Sequence, residues 1–236
     1  YVWKQQQYEE LTETVEPTVE GNLLHDVLAR FMALHLQEKL TKYPQKQLVS
    51  QLDDIMTSVC EEYIENNKIA VTDFWPSQRR RLNLLLRRWL ERELAYQREW
   101  EPFVPVKIEW DFGKNGSTPL ALSVAGGKIY LNGRIDRIDS DGSGLFVTDY
   151  KRGATPSGSD LTAGLDLQMP VYLLALAALE PQNVVLGGGY YSLKEARRKG
   201  GFALQALGKT PFTINNKPFS EGDDQWSDFS DFCRIT

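Results

Sequence analysis

The chain has 236 residues, 42 % of them hydrophobic and 25 % charged, which is ordinary globular usage and accommodates one sizeable domain with a helical appendage. No apolar run reaches the roughly eighteen residues that span a bilayer, and the two cysteines, Cys60 and Cys233, frame neither a disulfide scaffold nor a zinc-finger spacing, so a membrane protein is excluded and a reducing, cytoplasmic setting is expected. Lys plus Arg is 27 against Asp plus Glu 32, a net charge of −5, which argues against a free-standing nucleic-acid binder.

The first expected element is a helix over 21–40, where Leu24, Val27, Leu28, Phe31 and Leu34 recur at spacings of three and four. The same pattern fills 47–66 and 77–100, with Pro76 and Pro102 as punctuation. Charge is segregated along these helices. Six arginines and one acid lie between Arg79 and Arg92. Acids concentrate in 9–20, 53–65 and 221–231. Each run reads most simply as a solvated helix face.

The period then switches to two. Val104, Val106, Ile108, Trp110 and Phe112 alternate with polar residues as in a strand with one buried face. Strands over 128–139 and 145–151 follow, joined by Ser140-Asp141-Gly142-Ser143-Gly144, the residues of a tight hairpin. A helix over about 166–179, a strand over 184–193 and a weakly patterned end complete the chain. The order makes an α/β domain with a helical N-terminal part: a helical flank over 1–102, a sheet and helix over 103–193, and an extension over 194–236. The chain opens at Tyr1 without an initiator Met, so a fragment of a longer protein is expected.

The hairpin carries the chemistry. If it is symmetric, residues whose numbers sum to 285 face each other, and Asp136 lies opposite Asp149, with Cβ atoms about 4.5 to 5.5 Å apart. Lys151, two residues on, points to the face of Asp149. Two such acids repel unless a cation joins them, and oxygen ligands favour Mg2+ or Mn2+. The same register sets Arg134 against Lys151, an awkward like-charge pair. Glu109 falls on the polar side of its strand and can extend the cluster. His25 shares a helix face with Gly21, which would let that helix approach what His25 touches. Against these stand plainer readings: a satisfied helix histidine, paired surface charges in Gly133-Arg134-Ile135-Asp136-Arg137, and an exposed strand end at Asp149 and Lys151.

Five motifs stand in order: Gly21-Asn22-Leu23-Leu24-His25, Glu109, Gly133 to Asp139, Asp149-Tyr150-Lys151, and Gln168 with Tyr172. This set resembles the RecB/AddB-type nuclease family within the PD-(D/E)xK superfamily. The resemblance implies a restriction-endonuclease-like central mixed sheet flanked by helices. It implies a Mg2+- or Mn2+-dependent deoxyribonuclease, an exonuclease module of a helicase–nuclease in recombination and double-strand-break repair. Asp136, Asp149, His25 and the Tyr150 carbonyl would hold the metal, with Glu109 helping to place it. Lys151 would orient or deprotonate the attacking water, and Gln168 and Tyr172 would position the DNA. Asp166 caps the helix that carries them. The partners implied are DNA, single-stranded or at unwound duplex ends, and a helicase domain or subunit in the same complex. Arg79, Arg80, Arg87 and Arg88 are candidates for backbone contact.

The chain departs from the family in two respects. Many AddB-type members carry four cysteines for an iron–sulfur cluster, and two cysteines do not support one here. The acidic charge fits a domain that is handed its strand by a motor. Two other functions remain open: a catalytically silent nuclease fold with a structural or strand-binding role, and a metal-dependent phosphoesterase for a small substrate.

Overall fold

The computed structural model describes residues 15–99, 103–203 and 226–228. Pro102, Trp100, Cys233, the start of the first acidic run and most of the acidic tail and C-terminal extension lie outside them. Helix α1 (Pro17–Ala33) starts with proline at its first position, where no N–H is needed. It buries Leu24, Val27, Leu28 and Phe31 of the expected stripe, with Leu23 beside them, but it ends at Ala33, short of the expected 40, and Leu34, the last residue of that stripe, is 60 % exposed. A short 3-10 turn (Leu40–Lys42) leads into α2 (Gln45–Glu65) and α3 (Trp75–Glu99). Their apolar faces close on Trp89, Leu52, Met56 and Leu86. Full burial of each such side chain stabilises by about 1.5 to 3 kcal/mol.

Strands β1 (Val104–Phe112), β2 (Leu120–Val124), β3 (Gly127–Leu131), β4 (Gly133–Ser140) and β5 (Gly144–Lys151) follow, then a one-turn α4 (Gly158–Thr162), α5 (Gln168–Leu179), β6 (Val184–Ser192), β7 (Arg197–Ala203) and β8 (Trp226–Asp228). One six-stranded sheet runs β1-β4-β5-β6-β7-β8, and β2 and β3 form a separate hairpin. β5 and β6 are parallel, bridged by α5, while β1, β4 and β5 are antiparallel. The sheet is therefore mixed, and helices cover it from two sides. Tyr150, Tyr191 and Leu193 pack with α1, α2 and α3, and Val147, Tyr190 and Phe202 pack with α5. A β-carbon at Gly188 would stand 2.6 Å from Met169 Sδ and 2.8 Å from Val147 Cβ, so the bare glycine is what lets α5 settle on the strands.

Several expectations change. The strand expected over 128–139 is two strands broken at Asn132, one in each sheet. β2, β7 and β8 are additional, because Leu120–Val124, the Gly-containing Arg197–Ala203 and the three-residue Trp226–Asp228 lack strong alternation. The helix expected to begin near Asp166 begins at Gln168. Asp166 still accepts the Gln168 N–H at 3.2 Å, although the residue at the cap position is Leu167. Gly21 does not serve close packing: a β-carbon there would meet nothing within 4 Å.

Candidate metal centre

The expected hairpin register is present over Arg137↔Thr148, Ile138↔Val147, Asp139↔Phe146 and Ser140↔Leu145. The ladder stops there. β5 continues beside β6 as far as Lys151↔Ser192, so β4 and β5 part company just where Asp136 and Asp149 would face each other. The parting frees the Asp136 carboxylate to accept the Tyr150 N–H at 2.8 Å. It also removes the like-charge pairing of Arg134 with Lys151. Arg134 turns instead to β1 and forms ion pairs with Asp111 at 2.8 Å and Glu109 at 3.3 Å.

Three elements then converge. From α1, His25 Nδ1 comes within 3.3 Å of Asp136 Oδ1. From β1, Glu109 joins them, and the donor atoms of His25, Glu109 and Asp136 all lie within 4.8 Å of one another. Glu109 has φ +49° in the middle of a strand, a left-handed conformation that costs about 1 to 3 kcal/mol in a non-glycine residue. That twist interrupts the alternation that sequence reasoning assumes for β1. A cleft beside the three residues is lined by Leu28, Ala29, Met32, Ile108 and Tyr150.

Asp149 stands outside that triad of converging donors. It is 1 % exposed, accepts from Gln168 Nε2 at 2.9 Å, and has its other oxygen 2.8 Å from Lys151 Nζ. That second contact is an ion pair only, since the buried Oδ2 receives no well-aligned hydrogen bond. Gln168 is the hub: Lys151 donates to its Oε1 at 2.6 Å, and its Nε2 also donates to the Tyr172 hydroxyl at 2.8 Å. The spacing of four that set Gln168 and Tyr172 on one helix face produces this contact.

The electrostatics describe carboxylates short of cations. Burial, then the charge of Asp136, push the Asp149 carboxyl up to about 7 against the pull of Lys151. Burial and Asp136 likewise raise Glu109, with Arg134 and His25 opposing. Burial alone would lower the His25 imidazole. The hydrogen bond and charge of Asp136, with the charges of Asp149 and Glu109, outweigh it and lift His25 to about 9. A bound divalent ion would relieve the same repulsion. The donor set, one imidazole nitrogen with carboxylate oxygens, fits such an ion.

The expected arginine track divides. Arg79 donates to Thr57 at 2.8 Å and Arg87 pairs with Asp53 at 2.6 Å, so both tie α3 to α2. Arg80 and Arg88 are exposed. Sequence reasoning missed a buried network on the other side of the site. Arg137, 1 % exposed, donates to Glu93 Oε1 at 2.7 Å, Asp139 Oδ1 at 2.7 Å and the Tyr150 hydroxyl at 3.2 Å. Arg198 donates to the second Glu93 oxygen at 3.1 Å. The available signal was the spacing of Arg137 and Asp139, which puts both charges on one strand face, toward helices whose stripes are otherwise apolar.

A family model described as the PD-(D/E)XK nuclease superfamily matches residues 1–231. The chain belongs to the PD-(D/E)XK nuclease superfamily. Nucleases of that superfamily generally use divalent metals. Relatives of this PD-(D/E)XK chain are described as subunits of an ATP-dependent helicase/deoxyribonuclease. The protein from Alkaliphilus metalliredigens is 33 % identical over 176 residues, 69 % of this chain and 15 % of that protein. The one from Acetivibrio thermocellus is 29 % identical over 195 residues, 77 % of this chain and 17 % of that protein. The one from Natranaerobius thermophilus is 32 % identical over 174 residues, 67 % of this chain and 14 % of that protein. The chain thus spans about a sixth of the length of these relatives. No helix among the described residues is long and apolar enough to cross a membrane.

Proposed function

We propose that this chain is the Mg2+- or Mn2+-dependent deoxyribonuclease module, an exonuclease, of a cytoplasmic helicase–nuclease that acts in DNA recombination and double-strand-break repair. The observation that carries this reading is the convergence of His25, Glu109 and Asp136 beside the Asp149, Lys151 and Gln168 cluster. The relatives' description as helicase/deoxyribonuclease subunits supports the helicase partner and the DNA substrate.

His25, Asp136, Asp149 and the Tyr150 carbonyl would hold the ion, and Glu109 would help place it. When bound, the ion supplies a reactive water at neutral pH and neutralises charge on the phosphate. Lys151 adds a point charge for the developing negative charge and orients the attacking water. Gln168 holds Lys151 and Asp149 in fixed relation, and with Tyr172 it positions the strand. The ion pair of Lys151 with Asp149 keeps the ammonium from wandering between turnovers.

Cleavage of end-labelled linear DNA, with Mg2+, Mn2+ or EDTA, tests the reading in wild type and in Lys151→Ala and Asp149→Ala. Metal-dependent cleavage that both substitutions abolish, with unchanged circular dichroism, is expected. Equal activity in all three proteins, or full activity in EDTA, would sink the assignment. DNA binding without cleavage by the wild type would point instead to a silent strand-binding module.

A further inference from the structure

On the helix that carries His25, Glu20 is buried to 2 % exposure, and two arginines from different elements converge on it. Arg81 of α3 pairs with one of its oxygens and Arg152, directly after Lys151, with the other. One carboxylate needs one counter-charge, so this group keeps a net positive charge. Neither guanidinium is used up. Their side chains are 48 % and 27 % exposed, and a guanidinium has five donors in a planar fork that matches phosphate oxygens. The Arg152 Nε is buried and has no hydrogen-bond partner.

The position matters as much as the charge. Glu20 precedes His25 on α1 by five residues, about 7.5 Å along the axis at ~1.5 Å per residue. Arg152 is the chain neighbour of Lys151. The approach is open, because β-carbons at Gly21 and Gly153 would meet nothing within 4 Å. A backbone that presents no side chain at two points beside a fixed pair of guanidiniums leaves room for an anionic chain to lie close.

Resting on the nuclease reading above, we propose that Arg81 and Arg152, held by the buried Glu20, form a clamp for a phosphodiester of the same DNA strand next to the one that is cut. Glu20 acts as the positioning residue, fixing two long side chains that would otherwise lose rotamer entropy on binding. The clamp reads charge and not base identity, so it sets where along the strand the centre acts and contributes to affinity on any sequence.

The test is binding of a fluorescein-labelled single-stranded oligonucleotide to the full chain in EDTA, followed by anisotropy at several salt concentrations. Arg81→Ala and Arg152→Ala are each expected to weaken binding roughly tenfold and to flatten the log–log salt slope by about 0.7 per lost contact. Neutral methylphosphonates placed at each linkage in turn locate the contact. One linkage should weaken wild-type binding and leave Arg152→Ala unaffected. Arg152→Lys, which keeps the charge on Glu20 and loses the fork, should give an intermediate loss, and it covers the case where the alanine variant fails to fold. Affinity within twofold of wild type with an unchanged slope in all variants would reduce the group to an internal tie between helices. A wild type that binds no DNA in EDTA would overturn the clamp, whereas the nuclease reading falls separately, on the absence of cleavage with Mg2+ or Mn2+.

Discussion

Replacing Arg137 with Met should be among the most damaging single substitutions in the chain, although Arg137 is not itself one of the converging donors. Its guanidinium is fully buried and contacts Glu93, Asp139 and the Tyr150 hydroxyl at once. Methionine fills much of the space but leaves Glu93 with Arg198 and Gln97, and takes from Asp139 the guanidinium that donates to it at 2.7 Å. Asp139 already has one oxygen with no hydrogen bond, and burial already raises its pKa against the pull of Arg137. Removing one partner of a buried pair costs about 3 to 5 kcal/mol, a large share of the ~5 to 15 kcal/mol that holds a domain together. In urea, with an m-value toward the upper end of ~1 to 3 kcal/mol/M, the midpoint should fall by roughly 1 to 2 M, followed by the fluorescence of the buried Trp89. Arg87→Ala is the control. Its exposed ion pair with Asp53 should count for less than about 1 kcal/mol. If Arg137→Met moved the midpoint no more than Arg87→Ala, the buried network would not be what joins α3 to the sheet. The pH dependence has a definite sign. Burial alone would raise Glu93, but Arg137 and Arg198 hold it at about 2. Its stabilising contribution is therefore present above the ordinary glutamate range and lost as pH falls toward 2. Arg137→Met should shift that acid loss to higher pH.

Gln168→Ala should leave the fold intact and lower the rate of cleavage about 10- to 100-fold, because Lys151 and Asp149 lose their common partner; a rate within twofold of wild type would remove Gln168 from the site. In metal-free protein the His25 imidazole should titrate near 9 by NMR, and Asp136→Asn should bring it down sharply. A His25 midpoint unchanged in Asp136→Asn would show that the contact is not formed. Since His25 is raised, the stability it contributes to the metal-free chain is present below about 6.5 and lost as pH rises through 9. Charge reversal at the exposed Arg80 and Arg88 should change the salt slope of DNA binding, whereas Arg79 and Arg87 should act on helix packing; equal slopes in all four would leave the first pair as solvated surface.

The helices were legible because burial of α1, α2 and α3 follows their apolar spacing and α5 is an apolar run, and the β4–β5 register was legible because the Asp141-Gly142 turn fixes it. What the pattern hid has physical causes. Arg137, Glu93, Asp139 and Arg198 are charged, so hydropathy assigns them to the surface, yet they pair with one another inside. Glu109 enters the site through a left-handed backbone that alternation cannot express. The separation of Asp136 from the end of the ladder depends on where β4 leaves β5 while β5 stays paired with β6, a long-range choice. The order of Asp136, Asp149 and Lys151 indicated the centre, while the role of Gln168 as a hydrogen-bond hub emerged only in three dimensions.

Titration of Mn2+ into the metal-free chain, followed by the electron paramagnetic resonance signal of the free ion, tests the centre most directly. The wild type should bind Mn2+ with an affinity that rises with pH as His25 gives up its proton, and Asp136→Asn should lose that binding while keeping its circular dichroism. Equal Mn2+ uptake by the two proteins, or none by the wild type, would contradict the account.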